Sequence, residues 1–143
     1  MSMKEKQAKV VELMKKWQKL ENATISQTAK IMEDTDHPLI RTVAEVIQRD
    51  SHMHFRTQQL IIDSYEKESV PVLIDQLEKI WGTVEQHIQM EKKTVELAKE
   101  SLNALEGSKD VVQLYLLHYL QADEEKHDKL LEDLELIKKK MYP

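Results

Sequence analysis

Apolar residues recur along most of the chain at alternating steps of three and four, the spacing that places side chains on one face of an α-helix. The pattern breaks at three places that contain proline or glycine, near residues 34–38, 69–71 and 106–110. It therefore predicts four helical segments, roughly 4–33, 37–67, 72–106 and 109–141. Each segment has about 30 residues and a length of about 45 Å at the α-helical rise.

Residue types at the breaks predict how the segments begin and end. Asp36 is a candidate N-cap of segment 2, and Pro38 suits the first turn of that helix. Ser69 and Pro71 predict the start of segment 3 in the same way. Gly107 predicts the C-cap of segment 3, because glycine readily adopts the left-handed conformation found there.

Four segments of equal length joined by short turns favour an all-α fold, an antiparallel four-helix bundle that forms one domain over residues 1–143. The composition agrees, with 33% charged residues but only 2 Gly and 3 Pro. The short break between segments 2 and 3 favours up-down-up-down connectivity. A longer crossover that uses the ends of both helices is the alternative.

The chain also repeats itself weakly, as two helical hairpins over residues 4–67 and 72–141. In the second helix of each hairpin, the stretch from Ile47 to His54 aligns with the stretch from Leu120 to His127. In the first helix, residues 21–25 align less closely with residues 91–95. The sequence therefore predicts a bundle built from two similar hairpins.

Ionisable residues interrupt all four apolar stripes near their centres. These residues are Glu21 in segment 1, Asp50 and His54 in segment 2, His87 and Glu91 in segment 3, and Glu124 and His127 in segment 4. Such groups are costly on a buried stripe unless they are paired, neutralised or bound to metal. They stand at similar heights along the helices, and no lysine or arginine lies on the stripes to balance the acids. The pattern predicts a metal site at the middle of the bundle.

The donor types narrow the choice of metal. Glu124 and His127 form a Glu-x-x-His motif, whose spacing of three places both side chains on one helix face. The chain has no cysteine, so thiolate ligands are excluded. Carboxylate and imidazole donors suit iron, manganese or zinc, and a mixed set in a bundle core especially suits a di-iron or di-manganese centre.

These residues resemble the ferritin-like superfamily, in particular rubrerythrin-type proteins. Those proteins are built from two helical hairpins, with a glutamate on the first helix of each and Glu-x-x-His on the second. By this resemblance, which covers about residues 17–140, Glu21 and Glu91 match the single glutamates. Glu124 with His127 matches the second Glu-x-x-His motif.

The first Glu-x-x-His motif departs from that pattern. His54 matches its histidine, but Ser51 stands where the family has a glutamate, and Asp50 is the candidate substitute. The pair of His87 and Glu91, four residues apart, also resembles hemerythrin-like bundles over fewer positions. We expect His87 to be either a further ligand or a partner that orients a carboxylate.

The ferritin-like resemblance implies iron as the cofactor, with dioxygen or peroxide as its reaction partner and oxidase, peroxidase or iron-handling activity. It also implies a homodimer. Net charge is -5 and the basic residues are dispersed, so a nucleic-acid partner is disfavoured. We expect no membrane segment and a cytoplasmic location, because no run of about 18 apolar residues occurs. The competing hypothesis is a noncatalytic interaction or signalling module, whose buried polar network sets helix register without metal.

Overall fold

A computed structural model describes residues 1–71 and 74–143 of the chain. These residues form four α-helices and no strand: α1 Met3–Asp34, α2 Pro38–Glu66, α3 Ile74–Ala104 and α4 Val111–Lys138. The predicted all-α class and the four segments are confirmed. The predicted start of segment 3 at Val72 and the apolar stripe position Leu73 lie outside the described residues.

The helices pair within two compact units. In hairpin 1, which spans Met1–Pro71, α1 packs against α2; in hairpin 2, which spans Val72–Pro143, α3 packs against α4. Short turns at residues 35–37 and 105–110 join the helices of each pair. The predicted organisation as two helical hairpins is therefore confirmed, and each hairpin is described separately below.

Side chains close both ends of α1. At its start Ser2 Oγ accepts a hydrogen bond from the backbone N–H of Glu5 at 3.2 Å. The Glu5 carboxylate accepts one in return from the Ser2 N–H, which completes a capping box. At its end the Arg41 guanidinium donates to the carbonyl groups of Met32 and Thr35. These bonds satisfy backbone groups that a helix end leaves without partners.

Helix α2 begins one residue later than the proposed Asp36 cap requires. The N-cap is His37, whose Nδ1 accepts a hydrogen bond from the Leu39 N–H at 3.2 Å. Pro38 occupies the first helical position, as predicted. The Asp36 prediction was wrong because a neutral imidazole nitrogen can serve as the acceptor that the first turn needs.

Gly107, the predicted C-cap of segment 3, instead lies in the turn between α3 and α4. Gly107 has φ 78°, three residues beyond the end of α3 at Ala104. Ser108 Oγ accepts a hydrogen bond from the backbone N–H of Asp110, the residue that precedes α4. Helix α4 then begins at Val111 rather than at residue 109.

A narrow seam of buried side chains joins α1 to α2. In α2 the buried residues Ala44, Ser51 and Gln58 recur every seven residues, the repeat of helices that pack at a shallow angle. Several apolar residues that recur at the three-and-four spacing are exposed: Trp17, Ile31, Ile47 and Tyr65 in hairpin 1, and Ile80 and Leu120 in hairpin 2. The contact between two helices covers only one narrow face of each, so burial of these residues in a four-helix bundle stays a prediction.

Candidate metal centre

Hairpin 2 brings two carboxylates and one imidazole together across its two helices. One ligand atom from each of Glu91, Glu124 and His127 lies within 4.8 Å of the others. Two ligands of one ion, each at about 2.0–2.2 Å from it, lie up to about 4.4 Å apart. Small side-chain rotations would therefore allow all three residues to bind one ion.

Helix geometry explains this convergence. The spacing of three residues places Glu124 and His127 on one face of α4, as the sequence predicts. Glu91 is one of three buried residues of α3 and is 7% exposed. The other two are Ile88 and Ala98. The carboxylate of Glu91 is thus largely removed from water, and an ionised group in such a position is expensive without a partner.

The two oxygens of Glu91 have different environments. Oε1 lies 3.0 Å from Nε2 of His87 and 3.6 Å from Nδ1 of His127. Oε2 is buried and receives a hydrogen bond from no donor of the described residues. Unless a proton or a cation binds there, this buried oxygen has no partner, which is rare and costs free energy.

Thr94 orients the second carboxylate from α3. Its hydroxyl lies 2.9 Å from Oε2 of Glu124 and 2.7 Å from the backbone carbonyl of Glu91, and it can donate to either. The same Oε2 of Glu124 lies 3.7 Å from Nδ1 of His127. Glu124 is therefore positioned towards Glu91 and His127 rather than towards solvent.

The two carboxyl groups titrate as a pair. A hydrogen bond with Glu124, together with burial, raises the pKa of Glu91, although His127 and His87 oppose the rise. The same hydrogen bond and the one from Thr94 lower the pKa of Glu124. Of the two, Glu91 therefore takes up a proton more readily and Glu124 more readily stays ionised.

Asp123 is a site residue that the sequence analysis missed. Its Oδ2 lies 3.4 Å from Nε2 of His127, on the side of the ring opposite to the two glutamates. A carboxylate in this place fixes the orientation of a metal-binding imidazole and increases its basicity. The spacing of four between Asp123 and His127 was the available signal. Thr94 was also missed, and no spacing rule singled it out.

Hairpin 1 holds a smaller set of the predicted residues. Nδ1 of His54 lies 3.4 Å from Oε1 of Glu21, and Glu21 is buried in the α1 seam. Asp50 is half-buried and forms no ion pair with any described residue, so it is not paired with His54 as Asp123 is with His127.

The predicted ligands thus form two groups, one in each hairpin. Glu21 and His54 are together in hairpin 1, and the remaining histidines and glutamates of the set are together in hairpin 2: His87, Glu91, Glu124 and His127. Convergence of both groups at one level of a four-helix bundle stays a prediction.

The fold and the site define an all-α chain of paired helices with a carboxylate and histidine cluster. Comparison with protein-family models, with curated proteins and with solved structures finds no match to this chain. Among residues 1–71 and 74–143, no helix combines the length and the apolar character needed to cross a membrane.

Proposed function

We propose that this chain is a metal-binding protein whose ion is held in hairpin 2 by Glu91, Glu124 and His127. The observation that supports the proposal is the convergence of these three side chains, whose ligand atoms lie within 4.8 Å of one another, at the buried carboxylate of Glu91. His87, 3.0 Å from Glu91, would act as a further ligand or would hold that carboxylate in place.

The charges around Glu91 support a cation at this position. The charged groups that shift its pKa are Glu124, His127 and His87, and none of them is a lysine or arginine. A divalent ion would compete with a proton for Glu91 and offset the repulsion between the carboxylates. Metal binding would therefore release protons, and it would weaken as pH falls through the raised pKa of Glu91.

The donor set suits iron, manganese or zinc. The resemblance of the sequence to ferritin-like proteins supports iron as the proposed ion, with manganese or zinc as the alternatives. It also supports dioxygen or peroxide as the molecule that meets the ion, and a homodimeric assembly. A bound ion would supply redox or Lewis-acid chemistry, while the carboxylates and His127 hold it and Asp123 orients the imidazole.

Elemental analysis of protein purified without added metal or chelator tests the proposal, followed by reconstitution with Fe²⁺, Mn²⁺ or Zn²⁺. We expect stoichiometric metal in the wild type and its loss in Glu124→Ala and His127→Ala. Glu125→Ala and His52→Ala are the matched controls, because they remove the same residue types at exposed helical positions. These variants should keep the metal.

Two results would reject the proposal. One is a wild type that binds none of the three ions after reconstitution; the other is full metal retention by both Glu124→Ala and His127→Ala. In either case the cluster would be a metal-free polar network, and the competing hypothesis of an interaction or signalling module would take precedence. A melting temperature unchanged by chelator would agree with that outcome.

A further inference from the structure

The two hairpins place the same pair of atoms at almost the same distance. In hairpin 1, Oε1 of Glu21 lies 3.4 Å from Nδ1 of His54. In hairpin 2, Oε1 of Glu91 lies 3.6 Å from Nδ1 of His127. Both glutamates are buried, with 6% and 7% of their surface exposed. The weak sequence repeat therefore corresponds to a repeat of the polar site itself.

The repeated sites differ at one ligand position. Ser51 stands one turn before His54, where Glu124 stands one turn before His127. Ser51 is buried in the seam at 4% exposure, so the position faces α1 as a ligand would. A serine hydroxyl brings no negative charge, and hard divalent ions prefer carboxylate oxygens.

The corresponding threonines, Thr94 in hairpin 2 and Thr24 in hairpin 1, differ in their hydrogen-bond acceptors. The Thr94 hydroxyl lies 2.9 Å from Oε2 of Glu124, in addition to the backbone carbonyl of Glu91 at 2.7 Å. Its counterpart Thr24 donates to the backbone carbonyl of Leu20 at 3.0 Å. Hairpin 1 thus has no second carboxylate for its threonine to orient, and Glu21 has only His54 as an ion-pair partner among the described residues.

We propose that the two hairpins differ in metal binding, with one ion bound in hairpin 2 and none in hairpin 1. The inference rests on the proposed metal-binding function. Hairpin 1 keeps the glutamate and histidine of the site and lacks the third ligand, so a carboxylate at position 51 would create a second site. The protein then binds one ion per chain, unlike the di-iron or di-manganese centre that the donor set of the sequence favours.

Titration with Co²⁺, followed by calorimetry and by visible absorption, counts the ions. We expect one ion in the wild type and two in Ser51→Glu. Glu124→Ser gives hairpin 2 the ligand set of hairpin 1. It should weaken metal binding by more than about 100-fold, because loss of a ligand should cost more affinity than the roughly 10–100-fold expected for loss of a residue that only orients a ligand. The double variant Ser51→Glu with Glu124→Ser should bind one ion again. Ser26→Glu adds the same charge at an exposed position of α1 and should leave the count at one.

The tryptophans locate the added ion, because the chain has two, one in each hairpin. Trp17 lies one helical turn before Glu21. In a Trp81→Phe background, we expect Co²⁺ to quench Trp17 fluorescence more strongly in Ser51→Glu than with serine at position 51. Equal quenching in both proteins would contradict the assignment of the second site to hairpin 1.

The outcomes separate this inference from the proposed function. A wild type that binds no Co²⁺, Fe²⁺, Mn²⁺ or Zn²⁺ overturns the proposed function and the inference with it. A wild type with two ions, or a folded Ser51→Glu with one, overturns the inference alone. If Ser51→Glu does not fold, Glu124→Ser decides, because unchanged affinity in that variant would show that the third ligand is not required.

Discussion

Replacing Glu91 by glutamine should stabilise the metal-free protein while it removes metal binding. The amide has the shape of the carboxyl group but no charge, so it can lie beside Glu124 without repulsion. Glu91 is 7% exposed and belongs to the cluster whose ligand atoms lie within 4.8 Å of one another. Residues clustered to bind an ion therefore lower the stability of the protein when the ion is absent.

The size of the effect follows from this separation. The ligand atoms lie within 4.8 Å of one another, and two unit charges at that outer limit repel by about 3.5 kcal/mol at an effective dielectric constant near 20. The attraction of His127 and His87 opposes that repulsion, and the Glu124 side chain is 25% exposed and partly screened by water. We therefore expect Glu91→Gln to gain about 1–2 kcal/mol in free energy of unfolding at pH 7.

Urea unfolding of chelator-treated protein, followed by circular dichroism, measures this gain. The matched control is Glu21→Gln, since Glu21 is equally buried and faces His54 but no second carboxylate. That control should show no gain, or a loss. The sign of the pH dependence follows from the raised pKa of Glu91: its protonated form is favoured by folding, so its contribution to stability is lost as pH rises through that pKa. The advantage of Glu91→Gln should grow over the same interval and disappear below about pH 4, where the unfolded carboxyl is also protonated.

If Glu91→Gln destabilises the protein as much as Glu21→Gln does, the reasoning is refuted. The attraction between Glu91 and its histidines would then exceed its repulsion by Glu124. With metal bound, the wild type should be more stable than Glu91→Gln, the reverse of the order without metal. An ion at 100 times its dissociation constant stabilises the wild type by about 2.7 kcal/mol, and Glu91→Gln should not receive that stabilisation.

Two further predictions concern an orienting residue and a turn. Asp123→Asn should weaken metal affinity by about 10–100-fold, because His127 loses the carboxylate at its Nε2, and unchanged affinity by titration would argue against that role. Gly107→Ala should cost about 1–2 kcal/mol, since φ is 78° there, whereas Gly82→Ala, at an open helical position, should gain about 1 kcal/mol. Thermal unfolding measures both glycine variants, and equal signs would contradict the conformational argument.

Local patterns predicted much of this protein. The four helices follow from apolar spacing and from breaks that contain proline or glycine, and Gly107 has the predicted left-handed conformation. The Glu124 and His127 motif was readable because spacing along one helix alone places both side chains on one face. Contacts between helices were not readable in this way. Trp17 belongs to the apolar stripe of the sequence but is 50% exposed, because the α1 seam runs beside it through Gln18 and Glu21.

The sequence by itself determined the helices, their approximate ends and the types of donor atoms near their centres, because these depend on residues a few positions apart. Only the tertiary structure decided which donors meet. It joined Glu91 to Glu124 and His127, gave Thr94 and Asp123 their orienting contacts, and left Asp50 without an ion pair among the described residues. The physical reason is that a helix presents several faces to a neighbour, and close packing between two helices selects one of them by the fit of many side chains at once.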